Sequence, residues 1–205
     1  MATIRGAFRI RAAAIAICIL ALAGCLSQPA GAQESPRYGG TLIVGGSGDP
    51  VSLNLAAGFS TVDTLAAAHI YNFLVVSDSE LNPQPDLAES WKVSEDGLTY
   101  TFNLVKNATW HDGKPFTSAD VKFSLTEALG KLHSRGAVVL KAVESVETPN
   151  PYTVVLKLKH PYDPLMKFLG NEGFIIAKHI YEGTDILKNP ANANPVGTGP
   201  FVFKE

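Results

Sequence analysis

The chain has 205 residues, of which 46% are hydrophobic, and this is enough to bury a core in one domain of ordinary size. Its formal net charge is −2. Residues 1–24 hold three arginines and no acid, so the remainder has 14 basic against 19 acidic residues. Such a balance leaves no basic patch for nucleic acid, and we exclude that class of function. Both cysteines, Cys18 and Cys25, lie near the N-terminus, so the rest must fold without a disulfide.

Residues 1–32 have the pattern of an export signal and a short leader. An uncharged apolar run at 12–23 follows three arginines; a membrane span needs roughly 20 residues, so this run is typical of a signal peptide instead. Two cleavage sites remain open. The sequence LAGC ending at Cys25 matches a lipobox, in which Cys25 would be acylated, while Ala30–Ala32 fits ordinary cleavage before Gln33. Either outcome exports the chain, and acylation would also anchor it to a membrane face.

The first elements after the leader are a strand and a helix. Thr41–Val44 predicts a short buried strand that ends in the glycine-rich turn Gly45–Gly48. Since no Lys-Ser/Thr and no helix follow, this turn is not a phosphate loop; its missing side chains suit close approach of a backbone or ligand. Apolar positions over Asp63–Leu74 predict an amphipathic helix. Pro83 and Pro85 then keep the chain extended.

The stretch 87–124 has the most regular pattern. Alternating apolar and polar residues predict two strands, around 91–93 and 100–105, joined by a Glu-Asp-Gly turn. The sequence HDGKP at 111–115 predicts a tight turn, in which the proline ends the ladder. A hydroxyl cap then opens a predicted helix from Ser118 to about Leu129, and the glycine after it is the predicted stop.

The last third predicts a hairpin, a helix and a short strand. Alternation at 141–147 and 152–159 predicts two strands, joined by a loop at 148–151 whose prolines limit the ladder. A helix begins at Asp163-Pro164 and runs through Leu169, because proline suits the first helical position. Phe174–Ile176 predicts a short strand. Together these elements predict a mixed α/β fold.

Several phrases occur along the chain in a characteristic order: YGGTL at 38–42, DP at 49–50, LN at 53–54, the stretch 87–124, and NPVGTGPF at 194–201. This order resembles the family 5 extracellular solute-binding proteins, the receptors of peptide- and nickel-type ABC importers. The resemblance covers nearly everything after residue 37. It implies a periplasmic-binding-protein type II-like fold, whose two lobes close on a solute about a hinge.

The resemblance also implies a domain map. Residues 39–49 and 165–205 form part of lobe one, and residues 50–164 form an extra subdomain. Relatives are more than twice as long, so on this map the second lobe is missing and the fold is incomplete. The chain is then either the N-terminal part of an exported, periplasmic or cell-envelope receptor, or a non-binding remnant of a split or truncated gene. The implied partners are a small solute such as a peptide and an inner-membrane ABC permease.

By the same resemblance, two segments and one aromatic residue are ligand-cleft candidates. They are Gly46, Ser47, Asp49, Asn54, Tyr71, Gly197, Thr198 and Gly199. The 197–199 turn and Tyr71 have structural alternatives: the turn would simply join a helix to a strand, and Tyr71 would be a core aromatic of a helix. The acidic group that anchors a peptide amino terminus in this family belongs to the second lobe, so the class of solute remains open between peptides, nickel chelates, opines and sugars.

No catalytic or metal site is visible in the sequence. The histidines, at 69, 111, 133, 160 and 179, lack the paired spacing of metal ligands. The chain has no nucleophile elbow, and we therefore expect no enzyme activity, metal or cofactor. We interpret His111 as a surface or hairpin residue, and Trp91 and Trp110 as core. With one lobe, we expect negligible solute affinity and poor solubility.

Overall fold

The computed structural model describes residues 39–56 and 60–204, which fall into two compact units, Met1–Val44 and Gly45–Glu205. The export signal and the lipidation candidate Cys25 lie outside the described residues. In the first unit, residues 39–44 form neither helix nor strand, and Ile43 is 89% exposed. The predicted buried strand at Thr41–Val44 is wrong, because these residues are exposed and take part in no ladder with any described residue.

The second unit contains a small and a larger antiparallel sheet. The strands are β1 (Val75–Ser77), β2 (Pro83–Pro85), β3 (Ala88–Val93), β4 (Thr99–Leu104), β5 (Val143–Asn150) and β6 (Thr153–Leu158). β1 pairs with β2, and the larger sheet has the spatial order β3-β4-β6-β5. Both predicted strand pairs are therefore confirmed. The two prolines of β2 are tolerated because this strand has only one neighbour.

One face of the larger sheet forms the centre of the core. Tyr100, Phe102 and Leu104 of β4 are buried, and the residues between them are only half-buried. β6 repeats the pattern, with Val154 and Leu156 fully buried beneath the helices. This is the alternation expected of an antiparallel sheet with one covered face.

The described part of the chain also contains helical segments, of which the helix at Ser118–Phe123 packs on β5 and β6. They are α1 (Thr61–Ala67), α2 (Ser118–Phe123), a π-helix (Ser124–Leu129), α3 (Gly136–Val139), α4 (Pro164–Glu172), α5 (Lys178–Tyr181), and 3₁₀ turns at Leu140–Ala142, Ile186–Lys188 and Pro190–Asn192. None of the helices described is both long and apolar enough to cross a bilayer.

The predicted helix at 118–129 has the expected extent, but its second half is a π-helix. Gly130 N donates to Leu125 O at 3.0 Å, and a Cβ on Gly130 would lie 2.7 Å from the same oxygen. Ser124 explains the wider turn: its hydroxyl donates to Asp120 O at 2.8 Å and accepts from Ile176 N at 2.9 Å. A side chain that joins the helix to a neighbouring segment in this way is a known cause of helix irregularity.

Four other boundaries differ from prediction. The helix predicted over Asp63–Leu74 is α1, which begins earlier at its Ser60 cap and ends at Ala67. β5 runs through the predicted loop to Asn150, because a bulge after Glu147 accommodates the proline. Phe174–Ile176 is not a strand; it makes a single bridge, from Phe174 to Phe73. α4 extends beyond the predicted Leu169 to Glu172.

The two tryptophans differ in burial. Trp110 is 1% exposed and packs edge-on against Phe116, with ring centroids 6.3 Å apart, so its predicted place in the core is confirmed. Trp91 is only half-buried at the edge of the core, because it belongs to the outer strand β3.

Candidate functional site

The loop that holds the first candidates is fastened to the start of α1. Residues 46–49 are exposed. Behind them, the Asp63 carboxylate accepts Val51 N at 2.7 Å, Ser52 N at 3.3 Å and Ser60 N at 3.1 Å. Burial alone would raise the pKa of Asp63, but these hydrogen bonds and one from the Ser60 side chain outweigh it and lower the pKa. The ionised carboxylate thus fixes the loop on the helix.

Asn54, the last candidate of this loop, is fully buried. Its Nδ2 donates to Asn192 Oδ1 at 2.9 Å, and its Oδ1 accepts Ala56 N at 2.9 Å. Leu53 N also donates to Asn192 O, at 3.2 Å. The amide of Asn54 therefore ties the loop to the 3₁₀ turn at Pro190–Asn192.

Tyr71 lies in the core just beyond α1. It is 1% exposed and packs on Phe174 with ring centroids 6.3 Å apart. Burial raises the pKa of Tyr71 well above its ordinary value, and the neighbouring Tyr181 adds to this. Burial also raises the pKa of Tyr181 to about 12. The two phenols influence each other, but neither hydroxyl meets the geometry of a hydrogen bond to any described residue. Tyr71 is thus a buried core aromatic in the described part of the chain, but it lies beyond the end of α1 rather than within a helix.

The glycine turn at 197–199 lies against the backbone that follows α1. Gly199 N donates to Ile70 O at 2.8 Å, and Phe201 N donates to His69 O at 3.1 Å. A Cβ on Gly197 would overlap the Ile70 carbonyl oxygen, and one on Gly199 would lie 2.7 Å from the same atom. Both glycines are therefore required by this contact. Residues 200–204 form no strand within the described part of the chain.

His111 holds the same turn from the other side. Its backbone N donates to Gly197 O at 2.9 Å, its Nδ1 accepts Gly197 N at 3.3 Å, and its Nε2 lies 2.8 Å from Gly199 O. Only the neutral ring with its proton on Nε2 satisfies both side-chain bonds. The interpretation of His111 as a surface or hairpin residue missed this role. Thr198, between the glycines, is half-buried, and its Oγ1 makes no hydrogen bond within the described part.

Sequence reasoning also missed a buried ionic cluster around Glu172. Arg135 Nη2 lies 2.9 Å from Glu172 Oε1, and His133 Nε2 lies 3.6 Å from Glu172 Oε2. Because His133 Nδ1 accepts Gly136 N at 3.0 Å, the ring proton is on Nε2 and faces the carboxylate. Burial, with a contribution from Arg135, lowers the pKa of His133. Burial raises the pKa of Glu172, which Arg135 partly opposes.

Arg135 lines two open cavities. The larger has a volume of about 670 Å³ and is lined by Leu81, Ser134, Arg135, Val138, Val139, Pro164, Lys167, Phe168, Asn171 and Glu172. The second, of about 590 Å³, is lined by Arg135 and, from the α1 side, by Ser60, Thr61, Thr64 and Leu65. None of the predicted candidates lines these two cavities. No local sequence pattern could have revealed them, since the lining residues come from separate parts of the chain.

Among residues 39–56 and 60–204, no cluster of three or more His, Cys, Asp or Glu side chains is arranged to hold a metal ion. His179 Nε2 pairs with Asp112 Oδ2 at 2.8 Å, close to Trp110, but near the surface. The arrangement as a whole offers hydrogen-bond donors, a cation and open cavities, which are the properties of a binding surface.

Comparison with known proteins also relates this chain to binding proteins. The family model of the bacterial extracellular solute-binding proteins, family 5 (middle region), matches residues 82–205. The chain is 34% identical over 200 residues to the oligopeptide-binding protein AppA of Bacillus subtilis, a match that covers 93% of this chain and 37% of AppA. It is 38% identical over 201 residues to a putative ABC transporter peptide-binding protein of Brucella ovis, a match that covers 94% of this chain and 37% of that protein. The chain thus spans little more than a third of the length of these relatives.

Solved structures of binding proteins are also similar to this chain. AppA of Bacillus subtilis in complex with a nonapeptide superposes with a TM-score of 0.75 and 33% identity, over 83% of this chain and 35% of AppA. NikZ of Campylobacter jejuni in complex with Ni(L-His) gives a TM-score of 0.68 and 32% identity, over 77% and 31%. These neighbours are type II periplasmic binding proteins, and the expected mixed α/β fold class is confirmed.

Proposed function

The chain belongs to family 5 of the bacterial extracellular solute-binding proteins, and from this we propose that it is the exported substrate-binding component of an ABC importer for peptides or similar solutes. Its relatives are named as binding proteins rather than enzymes. In this proposal, the described residues form one side of a solute cleft, and the residues that the relatives have beyond this match supply the other.

The observation that carries the proposal is the convergence of three features on α1. The candidate loop is fixed to its start through Asp63. The 197–199 turn is fixed just past its end through Ile70. The second Arg135 cavity opens on its exposed side. Segments far apart in sequence are thus held on or next to α1, and in this proposal they contribute to a surface for reversible binding.

The remaining assignments are part of the proposal. Residues 39–49 and 165–205 belong to lobe one, and residues 50–164 to the extra subdomain. The candidates Gly46, Ser47 and Asp49 lie at the rim of the cleft, while Asn54 and Gly197 shape it from behind. The partners are a peptide-like solute and an inner-membrane permease. The location is the periplasm or cell envelope, with Cys25 as the lipid attachment point if lipoprotein processing prevails.

A non-binding remnant of such a receptor is the second candidate. The DNA downstream of codon 205 distinguishes the two. A continuing or adjacent reading frame for a second lobe supports the receptor, and its absence supports the remnant. For a receptor, the complete product should gain thermal stability with peptide, by about 2.7 kcal/mol at a hundredfold excess over Kd. No shift in Tm with any peptide of two to nine residues counts against the receptor.

A further inference from the structure

The turn at 110–115 is attached to two neighbouring segments through two histidines. His111 of this turn binds the 197–199 turn, and His179 of α5 binds Asp112. We infer that His111 makes the first attachment sensitive to pH: when acid converts its ring to the cation, the 197–199 turn loosens, while the attachment to α5 persists. This inference goes beyond the proposed function and does not rest on it.

The hydrogen bonds of the His111 ring require its neutral form. Gly197 N donates to Nδ1 at 3.3 Å, and Nε2 donates to Gly199 O at 2.8 Å. A cationic ring carries a hydrogen on both nitrogens, so Nδ1 could no longer accept a hydrogen bond. Its new N–H would instead face the N–H of Gly197. Acid therefore removes one of the two ring bonds and sets two donors against each other.

Acid favours the loosened turn because that state can bind one more proton. While the turn is held, Nδ1 of His111 carries no proton; once the turn loosens, Nδ1 is free to take one up. The stability of the held turn is therefore lost as the pH falls through the range in which histidine side chains titrate, about pH 8 to 5. The backbone bond from His111 N to Gly197 O, at 2.9 Å, does not titrate, so acid loosens the turn without detaching it.

Other titratable groups lie on the segments that adjoin His111 or the 197–199 turn. They are Asp112 and Lys114 on the same turn as His111, Lys178 and His179 on α5, Asp63 on α1, His69 beyond α1, and Lys204 beyond the 197–199 turn. Among the described residues, none of these side chains bonds to the His111 ring, whose two partners are backbone groups. The proton that directly changes this contact is therefore the one on Nδ1.

The attachment to α5 tolerates acid. His179 Nε2 lies 2.8 Å from Asp112 Oδ2, and both the neutral and the cationic ring can donate from this nitrogen. Burial alone would raise the pKa of Asp112, but hydrogen bonds from His179 and from the Lys114 backbone, together with the charges of both residues, lower it. Asp112 thus stays ionised where histidines titrate, and a cationic His179 strengthens the pair. The two attachments therefore respond to acid in opposite directions.

The protonation of the ring is the first test. Long-range ¹H–¹⁵N correlations of the ¹⁵N-labelled chain at about pH 8 report which nitrogen of His111 carries the proton, and we expect Nε2.

The loosening is measured by hydrogen exchange of the Gly197 amide between about pH 8 and about pH 5, expressed as a protection factor so that the intrinsic pH dependence of exchange is divided out. Protection should fall about fivefold, the effect of losing one hydrogen bond, in step with the titration of the ring. The Leu104 amide, which donates to Tyr152 O at 2.9 Å in the larger sheet, should keep its protection.

Variants assign the pH dependence to His111. His111→Asn and His111→Gln both replace the ring with a side chain that does not titrate, so Gly197 protection should change less than about twofold over the same range. His160→Asn is the matched control, because His160 is exposed and its Nδ1 lies 3.2 Å from the carbonyl oxygen of its neighbour Pro161. This variant should keep the full fall in protection.

Three results would overturn the inference: a proton on Nδ1 of His111 at about pH 8, Gly197 protection that stays constant down to about pH 5, or the same fall in both His111 variants as in the parent protein. The first two are measured on the parent protein and do not depend on whether a variant folds. The proposed function is tested separately, by peptide binding to the complete product, so either can fail without the other.

Discussion

Replacement of Gly197 by alanine is the sharpest test of how the 197–199 turn is built. The new Cβ would overlap Ile70 O, lie 2.6 Å from the Ile70 carbonyl carbon and lie 3.0 Å from its Cγ2. These are mainly backbone atoms, so the turn must move away. Overpacking alone costs about 1–3 kcal/mol. The movement also endangers the hydrogen bonds from Gly199 N to Ile70 O and from Phe201 N to His69 O, each worth about 1 kcal/mol.

We therefore expect Gly197→Ala to lower the free energy of unfolding by about 3 kcal/mol or more, as measured by urea denaturation. Hydrogen exchange should quicken at the Gly199 and Phe201 amides. Gly48→Ala is the matched control, because nothing lies within 4 Å of its Cβ and its φ is not positive. If both variants lose the same stability, the close contact with Ile70 is wrong.

Three further changes probe the neighbouring groups. His111→Phe removes both side-chain hydrogen bonds to the 197–199 turn. It should lower the free energy of unfolding, measured by urea denaturation, by about 1–2 kcal/mol and should speed hydrogen exchange of the Gly197 amide. An unchanged exchange rate would contradict the role of His111 in holding the turn. Asp63→Asn should lower the free energy of unfolding by about 1 kcal/mol at pH 7, because the carboxylate that caps α1 is lost. Because the folded pKa of Asp63 is lowered, its contribution is present above the ordinary pKa and is lost as the pH falls through the lower folded pKa. The urea midpoints of the variant and the parent protein should thus converge below about pH 3. A difference between the midpoints that stays constant with pH would contradict a stabilising role for the ionised Asp63 carboxylate. Tyr71→Phe removes a buried hydroxyl without a hydrogen-bond partner and should be neutral or stabilising by up to about 1 kcal/mol; a loss of more than about 1 kcal/mol shows that the hydroxyl is bonded.

Much of the fold was predictable wherever the determining contacts are local. The alternation of Tyr100, Phe102 and Leu104 placed β4 and its buried face. The cap at Thr117, whose N donates to Asp120 Oδ2 at 2.9 Å, fixed the start of α2. Pro164 did the same for α4. Patterns of this kind depend on residues within a few positions of one another.

Features that depend on distant parts of the chain were not predictable in this way. The π-helix follows from Ser124 meeting Ile176, a contact that no helical period encodes. The early end of α1 follows from the 197–199 turn, which takes up the Ile70 carbonyl. The segment Thr41–Val44 has the composition of a strand but no ladder in the described residues. Strand propensity expresses packing on neighbours and cannot supply them.

The candidate site shows the same division. Gly197 and Gly199 were chosen as ligand-cleft candidates, and the structure shows that both approach the backbone of Ile70 closely. Asn54 and Tyr71 turned out to be buried supports. The Arg135–Glu172 pair gave no signal at all, because its partners lie beside α3 and on α4 at ordinary-looking positions. An ion pair whose members belong to separate elements can be identified only from the three-dimensional structure.

The central claim is that these residues supply one side of a solute cleft. The most direct measurement is isothermal titration calorimetry of a tripeptide against this chain, and against the same chain extended by the remaining C-terminal residues of the Bacillus subtilis relative. We predict binding weaker than about 1 mM for the chain alone and micromolar binding after extension. Equal affinity of the two proteins, whether tight or absent, would contradict the account.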